Sequence, residues 1–362
     1  MKKSNVYVLY PYLRPVKNKY ELLFSILFGR SPNKIKLKNN SVIETKTLQF
    51  DTILCILGAI CYSTSYLVKS NIIELCFDMK NKFIINLNTL TLEDENLLKL
   101  LFYAQRHGAN FLLNTNISIT DFRDKTFNIF ELNDKKIIQT STGIKFYLDS
   151  IQPQNTIMET FVQKIHQLNS KDNWNDKIIV DVGAECGDTP LYFASLGATV
   201  YAFEPVKDHY DAMIRNLTLN PELAKKIIPI NAAIGYDGIL KFNQSSLAKI
   251  SGVASFVYNV HGKNSKTFEI QGYSIKSAFE KFNIDHIDLL KMDCKGCEFF
   301  LDKEDLKNVD KVKIEYLAGE NTQKITELYK MLEDSGFKNM IYRGNPFANY
   351  SNKLVGRIYG KK

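Results

Sequence analysis

The sequence lacks an apolar run long enough to cross a membrane. Its one membrane-like run, Ile53–Val68, is shorter than the roughly 20 residues that a spanning helix needs, and it contains Ser63, Thr64 and Ser65. We therefore expect a buried helix or strand there and no membrane span. A secretory signal is also missing, because Tyr, Pro, Arg and Lys interrupt the first apolar residues. These absences predict a cytoplasmic protein.

Charge of one sign is in small excess only. The chain has 47 Lys and Arg against 39 Asp and Glu, a formal net charge of +8 over 362 residues. So modest an excess is typical of a solvated surface, and a dedicated nucleic-acid surface is the weaker interpretation, which stays open. With 45% hydrophobic and 24% charged residues, the composition favours a globular protein. Its length predicts two domains, since domains commonly run about 100 to 200 residues.

Cysteine and histidine are few and poorly spaced for metal binding. The six cysteines have no secretory context, which predicts reduced thiols. Cys294 and Cys297 form a C-x-x-C, and Cys186 would lie near them if the first and fourth strands are neighbours. A structural zinc needs four ligands, and neither a second pair nor a nearby histidine supplies them. We expect no metal site and thiols that line a pocket or the core.

The two parts of the chain differ in pattern. Residues 1–130 mix short apolar runs with helical pieces and show no chemical motif, which predicts a smaller N-terminal α/β domain of unknown role. A polar stretch at 133–142 follows, so we place the boundary near residue 130. In residues 131–362, β-branched runs alternate with helical stretches, which predicts a doubly wound, mostly parallel sheet. The predicted strands are 177–182, 199–203, 227–234, 287–292 and 311–316, and a hairpin of 337–342 with 354–359 closes the sheet.

The turn after the first of these strands reads DVGAECGDT, from Asp181 to Thr189. Ligands of open α/β sheets bind at the carboxyl ends of the strands, so this turn is the first place to look for a site. Gly183 and Gly187 allow a sharp turn and leave room for a bulky ligand, and Thr189 can cap the following helix. We predict a cofactor loop here.

The sequence has no G-x-G-x-x-G, the loop that faces a pyrophosphate in nicotinamide enzymes. Its G-x-x-x-G loop instead carries acids at Asp181, Glu185 and Asp188. Acids disfavour a pyrophosphate and suit a ligand with positive charge, such as the sulfonium and amino groups of S-adenosylmethionine.

Two further strand ends complete an adenosine pocket in the expected order. Glu204 ends the second strand, roughly 20 residues beyond Gly183, where a carboxylate can accept hydrogen bonds from both ribose hydroxyls. The third strand ends in Asn231-Ala232-Ala-Ile-Gly235, whose small residues leave room for adenine and whose Asn231 can form hydrogen bonds. We predict that Asn231 and Ala232 contact the cofactor.

These motifs resemble the FkbM-type methyltransferases, which methylate hydroxyl groups of sugars, polyketides and related metabolites. The resemblance covers about residues 142–359, and its most specific segment, LLKMDCKGCE at 289–298, is similar to the family's K-x-D-x-E-G-x-E. Lys295 stands where the family has an acid, and Glu185-Cys186 replaces an Asn and aliphatic pair. The other matching segments are Glu159-Thr-Phe161, Asp181-Val-Gly183-Ala with Gly187, Phe203-Glu204-Pro205 and Asn231-Ala-Ala-Ile-Gly235.

The resemblance implies a Rossmann-like class I methyltransferase fold and S-adenosylmethionine as cofactor. It further implies that Asp181, Gly183, Gly187 and Glu204 bind the cofactor. Lys291, Asp293 and Glu298 would face the substrate or the methyl donor.

Methylation of an oxygen requires a group that takes the hydroxyl proton, and Asp293 is the candidate general base. Lys291 either lowers the pKa of the hydroxyl or neutralises Asp293. Glu298 either faces the site or supplies a first-turn charge to the next helix.

Two alternatives stay open. The first is an RNA methyltransferase, although the place after the fourth strand holds Asp293-Cys-Lys-Gly296 rather than the Asn or Asp, Pro, Pro, aromatic tetrad of amino-group methylation. The second is a nicotinamide-dependent oxidoreductase or a non-catalytic nucleoside-binding module. We expect a hydroxylated small-molecule or glycan substrate, and a homodimer is among the assemblies left open.

Overall fold

A computed structural model describes residues 9–27, 32–46, 48–76, 82–113, 126–166, 172–245, 254–255, 265–318, 322–344 and 355–362. The chain divides into two compact units, Met1–Ile165 and His166–Lys362, called here the N-terminal and C-terminal units. The segment Asn345-Pro-Phe347, which superficially resembles the tetrad of amino-group methylation but is expected to form a turn, lies outside the described residues. So do Asp121 and Asp124, which are expected to be loop or capping residues.

The N-terminal unit is an α/β structure with small sheets. Its strands pair as β1-β2, as β3-β4-β5 and as β6-β7-β8-β9. The strands are β1 (Lys34–Lys36), β2 (Val42–Glu44), β3 (Ser65–Lys69), β4 (Ile72–Cys76), β5 (Lys82–Asn86), β6 (Asn110–Leu113), β7 (Thr126–Leu132), β8 (Lys135–Gln139) and β9 (Lys145–Tyr147). The α-helices are α1 (Lys19–Leu27), α2 (Phe50–Tyr62) and α3 (Leu92–His107), with 3₁₀ turns at Tyr10–Leu13 and Leu148–Ser150 and a π-helix at Pro153–Val162.

The membrane-like run forms helix α2 followed by strand β3. Residues 53–60 of α2 are all buried, as expected for a core helix. Among the described residues, none of the helices combines the length and apolarity needed to cross a bilayer.

The predicted domain boundary near residue 130 falls inside β7. The polar stretch that suggested it contains a tight hairpin turn between β7 and β8, with Asn133 at φ 50° and Asp134 at φ 59°. Asparagine and aspartate tolerate the left-handed region and therefore favour such turns. The compact N-terminal unit continues through β8, β9 and the π-helix to Ile165.

The C-terminal unit is built on a seven-stranded sheet in the order β12-β11-β10-β17-β18-β20-β19. All neighbouring pairs from β12 to β18 are parallel, and β20 runs antiparallel to β18 and to β19. The strands are β10 (Ile178–Val182), β11 (Thr199–Phe203), β12 (Ile227–Ile230), β17 (Leu289–Met292), β18 (Lys311–Leu317), β19 (Lys338–Gly344) and β20 (Val355–Lys361). The helices are α4 (Asp188–Ser195), α5 (Lys207–Thr218), α6 (Pro221–Ala224), α7 (Ile275–Phe282) and α8 (Thr322–Asp334), with a 3₁₀ turn at Cys297–Phe300.

The core of this unit follows from its parallel strands, which are covered on both faces and are therefore mostly apolar. All four residues of β17 are buried, and so are Val180, Val312 and Ile314 on the neighbouring strands. The doubly wound, mostly parallel fold predicted from the alternation of strands and helices is confirmed.

A second sheet, absent from the sequence predictions, lies between the third and fourth strands of the main sheet along the chain. Its order is β13-β16-β14-β15. The strands are β13 (Ala233–Ile234), β14 (Gly238–Ser245), β15 (Ala254–Ser255) and β16 (Ser265–Tyr273). This sheet reaches the candidate site, because the Ser255 hydroxyl donates to the backbone carbonyl of Lys295 at 2.7 Å.

Candidate functional site

The candidate site lies where the strand order of the main sheet reverses. Strand β10 pairs on one side with β11 and on the other with β17, and Asp181 is in register with both Ala202 and Lys291. The carboxyl ends of these three strands therefore meet at one edge of the sheet. This is the switch point at which open α/β sheets bind ligands.

The glycine loop between β10 and α4 is shaped by contacts with the protein itself. Gly183 has φ +84°, and a Cβ there would lie 2.3 Å from the backbone carbonyl oxygen of Asp293. Gly187 has φ +87°, and a Cβ there would lie 2.9 Å from Cγ of Met213. Both positions require glycine because of conformation and close packing. The sequence predicts that these glycines leave room for a ligand, but the space beside them is filled by Asp293 and Met213 of the protein.

Asp181 and Lys291 form a buried ion pair under this loop. The Lys291 ammonium lies 2.7 Å from Asp181 Oδ1, and the Thr189 hydroxyl donates to Asp181 Oδ2 at 2.6 Å. The predicted cap by Thr189 is therefore wrong, since its hydroxyl points back to β10 and Gly187 is the first residue outside the helix.

The charge of Lys291 is directed at the glycine loop. Its ammonium also donates to the carbonyl of Gly183 and the hydroxyl of Thr189, each at 3.3 Å. Burial alone lowers the pKa of Lys291, but the carboxylates of Asp181 and Asp293 raise it above its ordinary value. Lys291 is thus a cation that connects β17 to the glycine loop. Its direct ion-pair partner is Asp181 rather than Asp293.

Glu204 connects the second strand end to the glycine loop. Its Oε2 accepts from the backbone N–H of Glu185 at 2.8 Å, and its Oε1 accepts from the N–H of Val206 at 2.8 Å. His209 lies 3.6 Å from Oε1; burial lowers the pKa of this imidazole, but Glu204 and Glu185 raise it above its usual value overall. Each carboxylate oxygen has a second lone pair, so ribose hydroxyls remain compatible partners of Glu204.

Glu185 carries a buried carboxylate oxygen without a partner. Within the described residues, Oε1 of Glu185 has no hydrogen bond. Burial raises the pKa of this carboxyl above its ordinary value; His209 and Lys295 act to lower it, and the charges of Glu204 and Asp293 act to raise it. A buried, unsatisfied acceptor close to other carboxylates favours a cationic donor.

Asn231 and Ala232 lie at the end of the third strand, as the sequence predicts. The side-chain amide of Asn231 donates to the backbone carbonyls of Glu204 at 2.8 Å and Pro205 at 3.3 Å. Its NH₂ group therefore holds two strand ends together, and Ala232 is buried beside it. Their contacts with a cofactor stay a prediction.

Asp293 belongs to a chain of alternating charges along the edge of the sheet. Its carboxylate pairs with Lys295, whose ammonium lies 3.1 Å from Glu315 Oε1, and Glu315 Oε2 lies 2.6 Å from Arg357 Nε. Burial raises the pKa of Asp293, but the ammonium groups of Lys295 and Lys291 outweigh it and lower the pKa to about 2. The Asp293 side chain is 36% exposed, so a charged carboxylate faces outward here.

Glu298 does not face outward, and the role implied by the resemblance stays a prediction. It is 0% exposed, and its oxygens accept from the N–H of Gly296 at 2.7 Å and of Leu317 at 2.8 Å. Burial raises its pKa to about 7. Glu298 thus anchors the loop after β17 to strand β18.

The cysteines depart from the predicted reduced state. Cys294 and Cys297 are joined by a disulfide, whereas Cys186 and the cysteines at 55, 61 and 76 are free. The sulfurs of Cys294 and Cys297 and a carboxylate oxygen of Glu298 lie within 4.8 Å of one another, a grouping able to hold a metal ion when the thiols are free.

Sequence reasoning missed a buried pair beside Lys291. Lys313 is the register neighbour of Lys291 on β18, and its ammonium contacts Nδ1 of His166. Burial, together with the charges of Lys291 and Arg357, lowers the pKa of Lys313 to about 7. The available signal for Lys313 was its position in the middle of the predicted strand 311–316. His166 lies far away in the sequence, at the start of the unit.

Residues 181–338 match the family model described as the methyltransferase FkbM domain. The match begins at Asp181, includes the loops of Glu204 and Asp293, and ends in β19. It confirms the resemblance found in the sequence, and the protein is an S-adenosylmethionine-dependent methyltransferase. Comparison with curated proteins finds no match.

Solved methyltransferase structures align with part of this chain at low identity and low TM-score. A precorrin-6y C5,15-methyltransferase from Geobacter metallireducens aligns at 11% identity and a TM-score of 0.34, covering 59% of this chain and 95% of its own. A human methyltransferase 10 domain containing protein gives 12% and 0.35, covering 61% and 88%. An S-adenosylmethionine-dependent O-methyltransferase from Thermotoga maritima gives 14% and 0.33, covering 62% and 77%.

Proposed function

We propose that this methyltransferase binds S-adenosylmethionine at the Asp181–Thr189 loop and methylates a hydroxyl group of a sugar, glycan or small metabolite. The observation that carries the cofactor site is the partnerless carboxylate oxygen of Glu185, in the same loop whose backbone is held by Glu204. The loop lies at the switch point of a doubly wound sheet.

The residues at this edge fit the charge of the proposed cofactor. Three carboxylates lie around the loop, those of Glu185, Glu204 and Asp293. The ammonium group of Lys291 is paired with Asp181. A pyrophosphate would meet repulsion from these acids, whereas a sulfonium and an amino group would be attracted. Glu204 would accept hydrogen bonds from the ribose hydroxyls with its remaining lone pairs. Glu185 would attract the positively charged sulfonium or amino group of the cofactor.

The cofactor, when bound, supplies an electrophilic methyl group. The acceptor hydroxyl must lose its proton as the new carbon–oxygen bond forms, and Asp293 is the exposed carboxylate at the end of β17 that would take it. A pKa of about 2 makes Asp293 a weak base that stays ionised at every working pH. A weak base suffices here, because a hydroxyl oxygen that gains a methyl group becomes strongly acidic.

Lys295 and Glu315 would position this carboxylate rather than react. Lys295 contacts both acids, and Glu315 is the register partner of Arg357 on β20. This arrangement holds Asp293 in one orientation toward the outside of the loop. Such pre-positioning lowers the barrier because the acceptor and the base do not need to be brought together in the reaction step.

Titration calorimetry tests the cofactor assignment. The protein is titrated with S-adenosylmethionine, S-adenosylhomocysteine and NAD, and the titrations are repeated on Glu204→Ala. We expect binding of both adenosyl ligands, none of NAD, and a loss of about 1.5 to 3 kcal/mol in the variant. Glu222→Gln is the matched control, since Glu222 is an exposed acid of the same unit whose partner is Lys225. Binding of NAD alone would overturn the assignment.

The acceptor class is tested with a tritiated methyl donor. The enzyme is offered panels of sugars, glycans and hydroxylated metabolites, with RNA as the contrasting panel. We expect label only in the hydroxylated small molecules or glycans, and a large fall in turnover but not in cofactor affinity for Asp293→Asn. Label in RNA alone would replace this proposal with the RNA methyltransferase alternative.

A further inference from the structure

The loop after β17 is closed by a disulfide at the proposed reaction site. Cys294 and Cys297 are bonded, with their Cα atoms 5.5 Å apart, and the loop carries Asp293 at its start and Glu298 at its end. The other four cysteines are free thiols. The one disulfide of the described residues is thus placed within a residue of the proposed base.

The two sulfurs differ in access. Cys297 is 1% exposed, whereas Cys294 is partly exposed. A thiol from outside can therefore reach Cys294, and Cys297 is the buried leaving sulfur. Thiol–disulfide exchange depends on such access to one sulfur of the pair.

The disulfide encloses Lys295 and Gly296 in unusual backbone conformations. Lys295 has φ 54° and Gly296 has φ 127°. The left-handed region is disfavoured for a residue with a side chain, so Lys295 needs a constraint to stay there. In this conformation its ammonium contacts both Asp293 and Glu315.

We propose that the Cys294–Cys297 disulfide is a reversible thiol–disulfide exchange site that controls methyl transfer by holding Lys295 against Asp293. The effect on turnover rests on the proposed function, because it assumes that Asp293 receives the acceptor proton. The exchange chemistry and the change in the loop do not depend on that assumption.

The exchange uses a dithiol as reductant and balances as follows. A thiolate of the dithiol attacks Sγ of Cys294, and the Cys294–Cys297 bond breaks with its electron pair going to Sγ of Cys297, which takes up a proton. The second thiol of the reductant then displaces Cys294, which is also protonated. The protein gains two electrons and two protons, and the dithiol becomes a disulfide.

Opening the disulfide frees Lys295 without dismantling the loop. Glu298 continues to accept from the N–H groups of Gly296 and Leu317, and Asp293 remains bonded through its own N–H to the carbonyl of Val182 at 2.8 Å. Lys295 can then return to a negative φ and leave Asp293. Without that neighbouring ammonium the carboxylate is no longer held in one orientation toward the acceptor, so the reduced enzyme is the slower one.

The first experiment measures the exchange itself. The full-length protein with S-adenosylhomocysteine is equilibrated in mixtures of reduced and oxidised dithiothreitol, alkylated with iodoacetamide and analysed by peptide mass spectrometry. We expect one two-electron transition in which Cys294 and Cys297 become alkylated together. Cys76→Ser, which removes a free and partly exposed thiol of the N-terminal unit, leaves the transition unchanged. A pair that dithiothreitol cannot open while the protein is folded overturns the proposal.

The second experiment measures loop protection by hydrogen exchange in the oxidised and reduced states. Amides 294 and 295 are expected to exchange faster after reduction, while the amide of Gly296, bonded to Glu298, and the amide of Glu185, bonded to Glu204, keep their protection. Unchanged protection at 294 and 295 overturns the proposal. This result is obtained whether or not an acceptor has been found, so it separates failure of this inference from failure of the proposed function.

The third experiment measures turnover on an acceptor found in the hydroxyl panels. Reduction is expected to lower turnover roughly tenfold, a fraction of the 10²–10⁴ that a positioned base contributes, with S-adenosylhomocysteine affinity unchanged. Lys295→Met is expected to be slow in both redox states. Equal turnover in the two states, loss of cofactor affinity on reduction, or a Lys295→Met enzyme that still responds to dithiothreitol each overturns the proposed control.

Discussion

Replacing Glu185 by glutamine removes the negative charge of this side chain from the glycine loop while keeping nearly the same shape. Its Oε1 is buried without a partner, so we expect Glu185→Gln to weaken S-adenosylmethionine binding by about 1.5 to 3 kcal/mol, the range for a charged hydrogen bond. The loop itself should remain folded, because Glu204 bonds the backbone of Glu185 and not its side chain. Calorimetry with Glu222→Gln as control measures the loss.

The same residue predicts a pH dependence of binding. Burial raises the pKa of the Glu185 carboxyl, so it takes up a proton at a higher pH than an ordinary glutamate. A protonated carboxyl cannot attract a sulfonium, and affinity should fall as the pH is lowered toward this raised pKa. In Glu185→Gln that fall should vanish, and a wild-type fall that persists in the variant contradicts the assignment.

Lys291 gives a second residue-scale prediction, about stability. Lys291→Met leaves the Asp181 carboxylate buried and without its cation, which is expected to cost about 3 to 5 kcal/mol of unfolding free energy. Lys303→Met is the matched control, since the Lys303–Asp334 pair at 3.0 Å is exposed on both sides and should matter little. Urea unfolding of the three proteins measures the difference, and equal stability would contradict the buried pair.

The partners of these residues explain what the sequence could not predict. Spacing and residue type identified Asp181, Glu185 and Glu204 as one group, because successive parallel strands bring their carboxyl ends together. Spacing could not show that Lys291 belongs to Asp181 rather than Asp293, since Asp181 lies on the neighbouring strand and Asp293 follows Lys291 at the end of the same strand. That choice is set by register, in which Asp181 and Lys291 are paired.

Among the elements, the loop between β10 and α4 leaves little room for substitution at its glycines. Gly183→Ala would place a Cβ 2.3 Å from the carbonyl oxygen of Asp293 at a φ of +84°. We expect a marked fall in thermal midpoint and loss of cofactor binding, because the loop or the end of β17 must move.

Gly336→Ala is the control for this prediction. It has a similar φ of +92° but no atom within 4 Å of the added Cβ, so it should cost only about 1 kcal/mol, the cost of the left-handed conformation. A Gly183→Ala protein as stable as Gly336→Ala would show that the close contact between the two loops does not matter.

Element by element, the main sheet was predictable and the inserted sheet was not. Strands β10, β11 and β17 are mostly apolar, because both faces of a parallel sheet are covered, and such runs are visible in a sequence. Strands β14 and β16 are long, antiparallel and partly exposed, and they carry many polar residues. Their pairing depends on a partner strand and not on their own composition.

For the whole molecule, two buried groups predict how stability varies with pH. The pKa of Glu298 is raised to about 7 in the folded protein, so the folded state binds its proton more tightly than the unfolded state does. Stability should therefore fall as the pH rises from about 4.5 to about 7, by up to about 3 kcal/mol. The stability difference between wild type and Glu298→Gln, followed across this range, should change by that amount and then level off.

Lys313 acts in the opposite direction above neutrality. Its pKa is lowered to about 7, so the folded state holds its proton less tightly than the unfolded state. Stability should rise as the pH increases from about 7 toward about 10.5, and Lys313→Met should lack this rise. Together the two groups predict a stability minimum near neutral pH, and a stability difference between wild type and Lys313→Met that is flat from pH 7 to 10 would contradict the assignment.

The contact between Gly183 and the carbonyl of Asp293 also limits how this enzyme can be re-engineered. The glycine loop between β10 and α4 and the loop after β17 approach each other through backbone atoms, which no side-chain exchange can adjust. A chimaera that takes the loop after β17 from a relative must therefore take the matching glycine loop with it. Directed evolution toward new acceptors should consequently find tolerated changes at Lys295, whose side chain lies outside this contact, before it finds any at position 183.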